Sequence, residues 1–393
     1  MTQHPFAATT QTPHQCDVLV IGGGIAGISI AYELAASGQR VVLVEAESTL
    51  AYHTTGRSAA TWIGTYGNGP VRALTAASHD YFLEPPPDRH PDGAALGTPM
   101  TMLHVAPHGF GEALSAFRDE VVRLTPDAHV ITPAEAVALV PMLREEWLEA
   151  ALVEPYALEV DVAGLHQGYK RGLKANGGEI LTLARVTAAE RFPDGRWHVS
   201  AGVSQEFVAT YVVNAAGAWV DEVAEIFGAR PVGIEPRLRS VFMVGAEAAT
   251  HSLPMVMSID PENAFYFKGD SGQYLCSPAD ETLTTPRDAK PDELEIARAI
   301  EVINEATTIG IRGIRTPWAG LRSFASDGSP VIGVDPEVDH FFWYAGQGGY
   351  GIQMAPAAAR LGAALLLGTA IPADIAATGF TAESVAPARF ATR

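Results

Sequence analysis

Three glycines, at positions 22, 24 and 27 of Gly22-Gly-Gly-Ile25-Ala26-Gly27, are spaced to hold a pyrophosphate against the backbone. Gly22 permits a tight turn, Gly24 lets main-chain amides approach the anion, and Gly27 lets a following helix pack closely on the strands. Glu45 stands 21 residues after Gly24, where a carboxylate can accept hydrogen bonds from both ribose hydroxyls of a dinucleotide. Ile25, Ala26 and Ala46 flank these positions and are candidate contacts to the same ligand.

The elements that must position this set lie beside it. Asp17-Val-Leu-Val-Ile21 reads as a buried strand, Ile28 to Ser37 as a helix stopped by Gly38, and Arg40-Val-Val-Leu-Val44 as a second strand ending at Glu45. The positive end of the helix then faces the anion. A glycine-rich turn without a ligand would need strand, helix, second strand and acid to coincide by chance.

This fingerprint serves both nicotinamide and flavin dinucleotides, and the residues after Glu45 separate them. Tyr52-His-Thr-Thr-Gly-Arg-Ser-Ala-Ala60 offers hydroxyls, a glycine and a guanidinium, so Thr55, Arg57, Ser58 and Ala59 are expected to wrap a second side of the pyrophosphate. Such enclosure suits FAD, whose reactivity must be controlled, better than a dissociable nicotinamide. Two later segments look like returns to the same site. In Tyr211-Val-Val-Asn-Ala-Ala-Gly-Ala-Trp219 a strand runs into Ala216, Gly217 and Trp219. In Phe341-Phe-Trp-Tyr-Ala-Gly-Gln-Gly-Gly-Tyr-Gly351 a strand runs into Gly348, Tyr350 and Gly351, followed by a helix from Ile352 to Leu367. A turn that merely packs two elements would explain either segment alone; together they favour cofactor binding.

The rest of the composition bounds the answer. With 393 residues, 47 % of them hydrophobic, the chain can fill more than one core. Its 26 basic and 45 acidic residues give a net charge of −19, which repels nucleic acid and anionic lipid. Cys16 and Cys276 are far apart and suit neither a disulfide framework nor a metal cluster. Residues 1–14 read as a loose polar tail, and the longest apolar run, Val18 to Ala36, is broken by glycines and Glu33, so no stable membrane insertion is expected and a cytoplasmic setting is. The expected fold is α/β: a Rossmann-like FAD-binding domain (15–67, 161–225 and 311–375) interleaved with an α+β substrate domain on a mainly antiparallel sheet (68–160 and 226–310). Pro133 to Leu139 reads as a helix in the latter, and Val241 to Val244 and Ala264 to Phe267 as strands.

Beyond the glycine motif, the chain resembles the superfamily of FAD-dependent D-amino-acid, glycine and sarcosine oxidases, and within it the bacterial D-arginine dehydrogenases. The likeness covers most of the chain after residue 15. It is most specific at Tyr52 to Ala60, Val71-Arg-Ala-Leu-Thr-Ala-Ala-Ser78, Leu165-His-Gln-Gly168, Trp318-Ala-Gly-Leu-Arg-Ser-Phe324 and Gln347 to Gln353. The resemblance implies that Arg239 and Arg322 grip a substrate carboxylate, helped by Tyr266 and the backbone of Gly349, with Tyr66 lining the same pocket. It also implies that Val186 reads the adenine through its backbone and that Gly320 contacts the cofactor. Such a clamp aims the α-hydrogen at flavin N5 and needs no strong side-chain base if the amine binds neutral. A salt bridge or interdomain strut would also account for either arginine.

Where the arginine-specific enzymes carry a glutamate for the distal guanidinium, this chain has Thr101, and Thr61 and Ile63 replace more polar neighbours. An unpaired buried guanidinium would cost several kcal/mol (on the order of 2–7 even for a neutral polar group), so neutral or apolar side chains are expected. Met100, Met102, Met255 and Met257 are candidate pocket walls or core residues. The resulting expectation is oxidation of a D-amino acid to the imino acid by non-covalently held FAD, then reoxidation by a quinone, an electron-transfer protein or oxygen. The alternatives are an enzyme acting on glycine or secondary amines such as sarcosine or proline analogues, and a flavin-binding regulator without turnover.

Overall fold

The computed structural model describes residues 12–88, 93–246 and 253–390. Residues 1–11 of the expected tail lie outside them, and His14 already opens the first strand, His14–Ile21. The fold is α/β with two sheets, as expected.

In the first sheet, Phe341–Ala345, Gln205–Asn214, His14–Ile21, Val41–Val44 and Glu179–Leu181 lie side by side in that order, all parallel. Val331–Val334 adds an antiparallel edge, and Val186–Arg191 with Trp197–Ala201 forms a hairpin attached to Gln205–Asn214. Parallel strands are covered on both faces, which is why these runs are apolar without alternation. Val18, Val20, Val41 and Leu43 pack into one core with the helices Ile25–Ala36, Val162–Ala175 and Gly351–Leu367; Leu19, Ile21, Val42 and Val44 pack into a second with Trp197, Val199 and Phe227.

The first helix begins at Ile25 rather than Ile28, because Gly24, extended at φ −72° and ψ −178°, is its N-cap. Gly27 therefore lies inside the helix, where any side chain would overlap the Gly22 carbonyl. After His14–Ile21 the chain builds to one side through Val41–Val44, and Gln205–Asn214 adds on the other. This is a topological switch point, where the carboxyl ends of parallel strands open a crevice.

The second sheet runs Arg315–Phe324, Glu235–Gly245, Gln273–Ser277, Tyr266–Asp270, Met255–Ser258, Gly97–Pro107, Leu148–Val160, Thr61–Trp62, with His129–Ile131 also on Leu148–Val160. Every pair is antiparallel except Met255–Ser258 with Gly97–Pro107. The period-2 alternation of strands splits its side chains. Leu103, Phe242, Val256 and Phe267 pack with the helices Pro133–Leu139 and Glu293–Ala306, and the opposite face carries Arg239, Val241, Met255, Tyr266 and Arg322.

The chain crosses between the layers at places the sequence does not signal. Thr61–Trp62 and Arg315–Phe324 fall within 15–67 and 311–375, yet both pair in the second sheet. Conversely, Gly69–Ala76 and His79–Leu83, within 68–160, send Val71, Leu74 and Phe82 into the core of the first. The two layers therefore share a wall instead of meeting at a linker.

Candidate active site

Loops following all five parallel strands converge on one cavity, whose other wall is the second sheet. Lining it are Gly22, Gly24, Ile25, Ala26, Glu45, Ala46, Thr55, Arg57, Ser58, Ala59, Val186, Ala216, Gly217, Trp219, Gly320, Gly348, Gly351 and Ile352, together with Tyr66, Arg239, Tyr266, Arg322 and Gly349. Two expected contacts do not line it. Gly27 is set back against the Gly22 carbonyl, and Tyr350 packs edge-on against Tyr66, with ring centroids 4.8 Å apart.

At the glycine-rich end, Glu45 accepts hydrogen bonds from the amides of Gly23 (2.7 Å) and Glu47 (2.8 Å), which fix its carboxylate at the cavity wall. The Ile25 amide donates to Thr55 Oγ1 at 2.9 Å, so the loop after the second strand is tied to the helix N-terminus. That helix has no acidic residue in its first turn and its N-cap, Gly24, has no side chain, so beyond the Ile25 amide its positive end faces the cavity and can receive an anion. A Cβ on Gly24 would meet only the Thr55 hydroxyl within 4 Å and would otherwise project into the cavity. Gln347 Nε2, further along the lining, is buried with no hydrogen-bond partner among the described residues. A cradle with a helix N-terminus at its wall, a fixed carboxylate and a buried donor fits FAD.

Arg57 departs from its expected role. Its guanidinium points away from the cradle, to Asp288 (2.5 Å) and to the carbonyls of Ala289 and Ala319. It ties the loop to Ala319 of the second sheet and to the loop at 288–289, because the three acceptors there satisfy a fork that a phosphate would otherwise take.

At the other end stands the arginine pair. Arg239 lies opposite Gly320, and Arg237 opposite Arg322, across one antiparallel ladder, so all three arginines share a face. Arg322, 6 % exposed, donates from Nη2 to the Tyr66 hydroxyl (2.6 Å) and from Nη1 to Glu281 Oε1 (2.7 Å). Arg239 donates from Nε to the Asp280 carbonyl (2.9 Å) and from Nη2 to the same Glu281 Oε1 (3.1 Å). Phe324, Tyr66 and Tyr350 surround the Arg322 guanidinium at 5.0 to 5.8 Å, and the Tyr266 ring lies 5.9 Å from that of Arg239. Only glycine fits at 349, where a Cβ would overlap the Arg322 fork. Burial pushes the Tyr66 phenol up, but the Arg322 and Arg239 guanidiniums more than reverse this and hold it below the ordinary tyrosine value.

Thr61, Ile63, Met255 and Met257 line the cavity beside the clamp. Met102 is fully buried in the same cluster and Met100 packs against it; neither lines the cavity, and Thr101 sits at the bulge between them. Lys268, on the Tyr266 strand, is buried and paired with Glu159 at 2.5 Å.

Several residues of the site make contacts that the sequence does not signal. Glu281 follows a strand in an ordinary acidic pair. Gln353 ties the Tyr66 loop down, taking the Ile63 amide and donating to the Tyr66 carbonyl and Thr75. Glu154, 3 % exposed, takes the amides of Gly64 and Thr65 and the Thr65 hydroxyl, which in turn meets His104 Nε2 at 2.9 Å.

Residues 17–365 match the family model described as DAO, FAD dependent oxidoreductase. The chain is 26 % identical to the bovine FAD-dependent oxidoreductase domain-containing protein 1 (Bos taurus), over 90 % of this chain and 82 % of that one. It is 23 % identical to the glycine oxidase of Bacillus licheniformis, over 91 % and 95 %. Its fold superposes on the crystal structure of L-proline dehydrogenase from P. horikoshii with a TM-score of 0.83, covering 97 % of this chain and 99 % of that one at 20 % identity. The cradle at the switch point and the extent of the family match lead to one conclusion: the chain belongs to the FAD-dependent oxidoreductases of the DAO family.

Proposed function

We propose that the protein oxidises a small amino acid at its CH–NH2 group, with a D-amino acid of neutral or apolar side chain as the preferred substrate. The observation that carries this reading is the convergence of Arg239 and Arg322 on a single carboxylate oxygen, that of Glu281. Two guanidiniums and the Tyr66 hydroxyl beside them form a three-point holder for an anionic, planar group.

A substrate carboxylate held there is fixed in translation and rotation, which is the main task left to the protein in this chemistry. Bound FAD supplies the acceptor for the hydride leaving the α-carbon. Arg322 and Arg239 neutralise the carboxylate, Tyr66 sets its rotation, and the aromatic rings around the clamp exclude water from the guanidiniums. The imino acid then hydrolyses in water to the 2-oxo acid and ammonia. No side-chain base is assigned, since an amine that binds neutral needs none.

Ile63, Met255 and Met257 make the adjoining wall apolar, and the nearby Glu159 carboxylate is already engaged by Lys268. Among the described residues, that apolar wall offers a cationic side chain no carboxylate. The preference for the D isomer rests on the resemblance to D-arginine dehydrogenases. A second reading, an enzyme of glycine or of secondary amines, is supported by the similarity to a glycine oxidase along 95 % of that protein's length. The physiological acceptor would be a quinone, an electron-transfer protein or oxygen. No helix among the described residues is long and apolar enough to cross a membrane.

The test is anaerobic bleaching of the yellow holoprotein by a panel of D-amino acids, L-amino acids, glycine and N-methyl amino acids. Bleaching by neutral D-amino acids supports the first reading, and bleaching confined to glycine or N-methyl compounds supports the second. If D-arginine were best by a wide margin, the pocket reading would fail; if no amino acid bleached the flavin, the clamp reading would fail. Admission of air then separates oxidase from dehydrogenase by the speed of colour return.

A further inference from the structure

Glu281 holds the place that the proposed function gives to the substrate. Its Oε1 is bound to Arg322 Nη1 and to Arg239 Nη2, and with Tyr66 on Arg322 Nη2, Glu281 occupies the point where the two guanidiniums converge. A carboxylate that bridges both arginines must therefore take contacts away from Glu281. Building on the clamp reading, we infer that Glu281 is an internal competitor for the two arginines, which yields to the substrate carboxylate and so sets the affinity of the site for carboxylates.

Burial explains why such a residue is present. The side chains of Arg322 and Arg239 are 7 % and 11 % exposed, and two guanidiniums that close together and that dry would repel each other without an anion. The same residue is equipped to leave. Glu281 is 43 % exposed, and its second oxygen is already on Arg237 Nη1 at 3.1 Å, outside the pair. Rotation of the carboxylate toward Arg237 gives up the clamp contacts and keeps an ion pair, while Arg237 is also held by Glu235 at 2.8 Å. An ion pair half open to solvent is weak enough to be replaced by a carboxylate that brings its own contacts. The imino-acid or 2-oxo-acid product carries the same carboxylate, so the returning Glu281 also shortens the stay of product.

The experiment titrates the FAD-loaded enzyme with propanoate and with propanamide, reading the flavin difference spectrum, in wild type, Glu281→Gln and Glu281→Asp. With the internal competitor removed, propanoate should bind about fivefold to tenfold more tightly to Glu281→Gln, while propanamide, which has no charge to place in the clamp, should shift less than about twofold. Glu281→Asp keeps the charge but is too short to bridge both guanidiniums, so it should bind propanoate nearly as tightly as Glu281→Gln. A gain of affinity on losing a side chain is not what a structural prop produces.

Equal propanoate affinity in all three proteins would overturn the inference and leave the clamp standing. Weaker binding by Glu281→Gln would overturn it in favour of a supporting role. Wild-type affinity in Glu281→Asp with tight binding in Glu281→Gln would also overturn it, by reducing the effect to repulsion at a distance. If propanoate perturbed the flavin in none of the three, the clamp reading itself would be wrong, and this inference with it.

Discussion

Arg322 combines burial with two hydrogen bonds in different directions and three aromatic rings around one guanidinium. A lysine keeps the charge but loses the planar fork. Arg322→Lys should therefore lower kcat/KM for the best amino acid by about 100-fold, roughly 2.7 kcal/mol, with FAD content unchanged. Anaerobic stopped-flow reduction measures this, and a loss below about threefold would mean that the charge alone suffices. Tyr66 gives a pH prediction at the same scale. Its phenol is lowered from the ordinary value because Arg322 and Arg239 outweigh burial and the opposing charge of Glu281. As pH rises through that lowered value, a hydrogen-bond donor becomes an anion facing a bound carboxylate. The affinity for benzoate, which has no amine to titrate, should then fall on an alkaline limb below pH 10, and Tyr66→Phe should lack that limb.

At the scale of elements, the short segment that carries Tyr66 is pinned from two sides. The helix Gly351–Leu367 supplies Gln353, and the strand Leu148–Val160 supplies Glu154. The adjacent strand Gly97–Pro107 contributes His104, which burial pushes down to about 4, so it stays neutral and meets the Thr65 hydroxyl. Unfolding frees that imidazole to titrate near 6.5, so below this pH the unfolded state binds the extra proton. Up to about 3 kcal/mol of stability is then lost as pH falls from 6.5 toward 4. Glu154 works in the opposite sense: burial raises its carboxyl, so on acidification the folded state takes up a proton first and recovers part of the loss. Glu154 aside, His104→Gln should flatten the acid-side decline, read as urea midpoints between pH 7 and 4.5; an unchanged slope would place the titrating groups elsewhere. The bonds these residues make could not be read from the sequence: Glu154 and His104 are isolated polar residues in largely apolar strands, Gln353 stands out only as the end of the Gln347 to Gln353 stretch, and the partners lie 39 to 290 residues away. The strand, turn and helix at Gly22 to Ala36 were legible because local spacing dictates them, although the helix starts one turn early. The Arg57 guanidinium was misplaced because its acceptors at Asp288, Ala289 and Ala319 arrive only through tertiary folding.

For the whole molecule, the cofactor cavity is the seam between two sheets whose strands alternate along the chain. FAD bound in that seam would touch both layers, and a ligand that binds only the folded state stabilises it by mass action. At 100 times its dissociation constant the gain is about 2.7 kcal/mol. Neither cysteine can anchor the flavin covalently from where it lies. Cys16 is buried in the first strand of the parallel sheet, and Cys276 packs on the face of the second sheet that looks away from the cavity. Acid precipitation should therefore leave a colourless pellet and a yellow supernatant. The apoprotein prepared this way should melt several degrees below the holoprotein and regain the difference on titration with FAD. A yellow pellet would reveal a covalent link through another side chain. Equal melting of the two forms would mean that the sheets close on each other without the cofactor, and that the seam is set by their own packing at the chain crossings of Thr61–Trp62 and Arg315–Phe324.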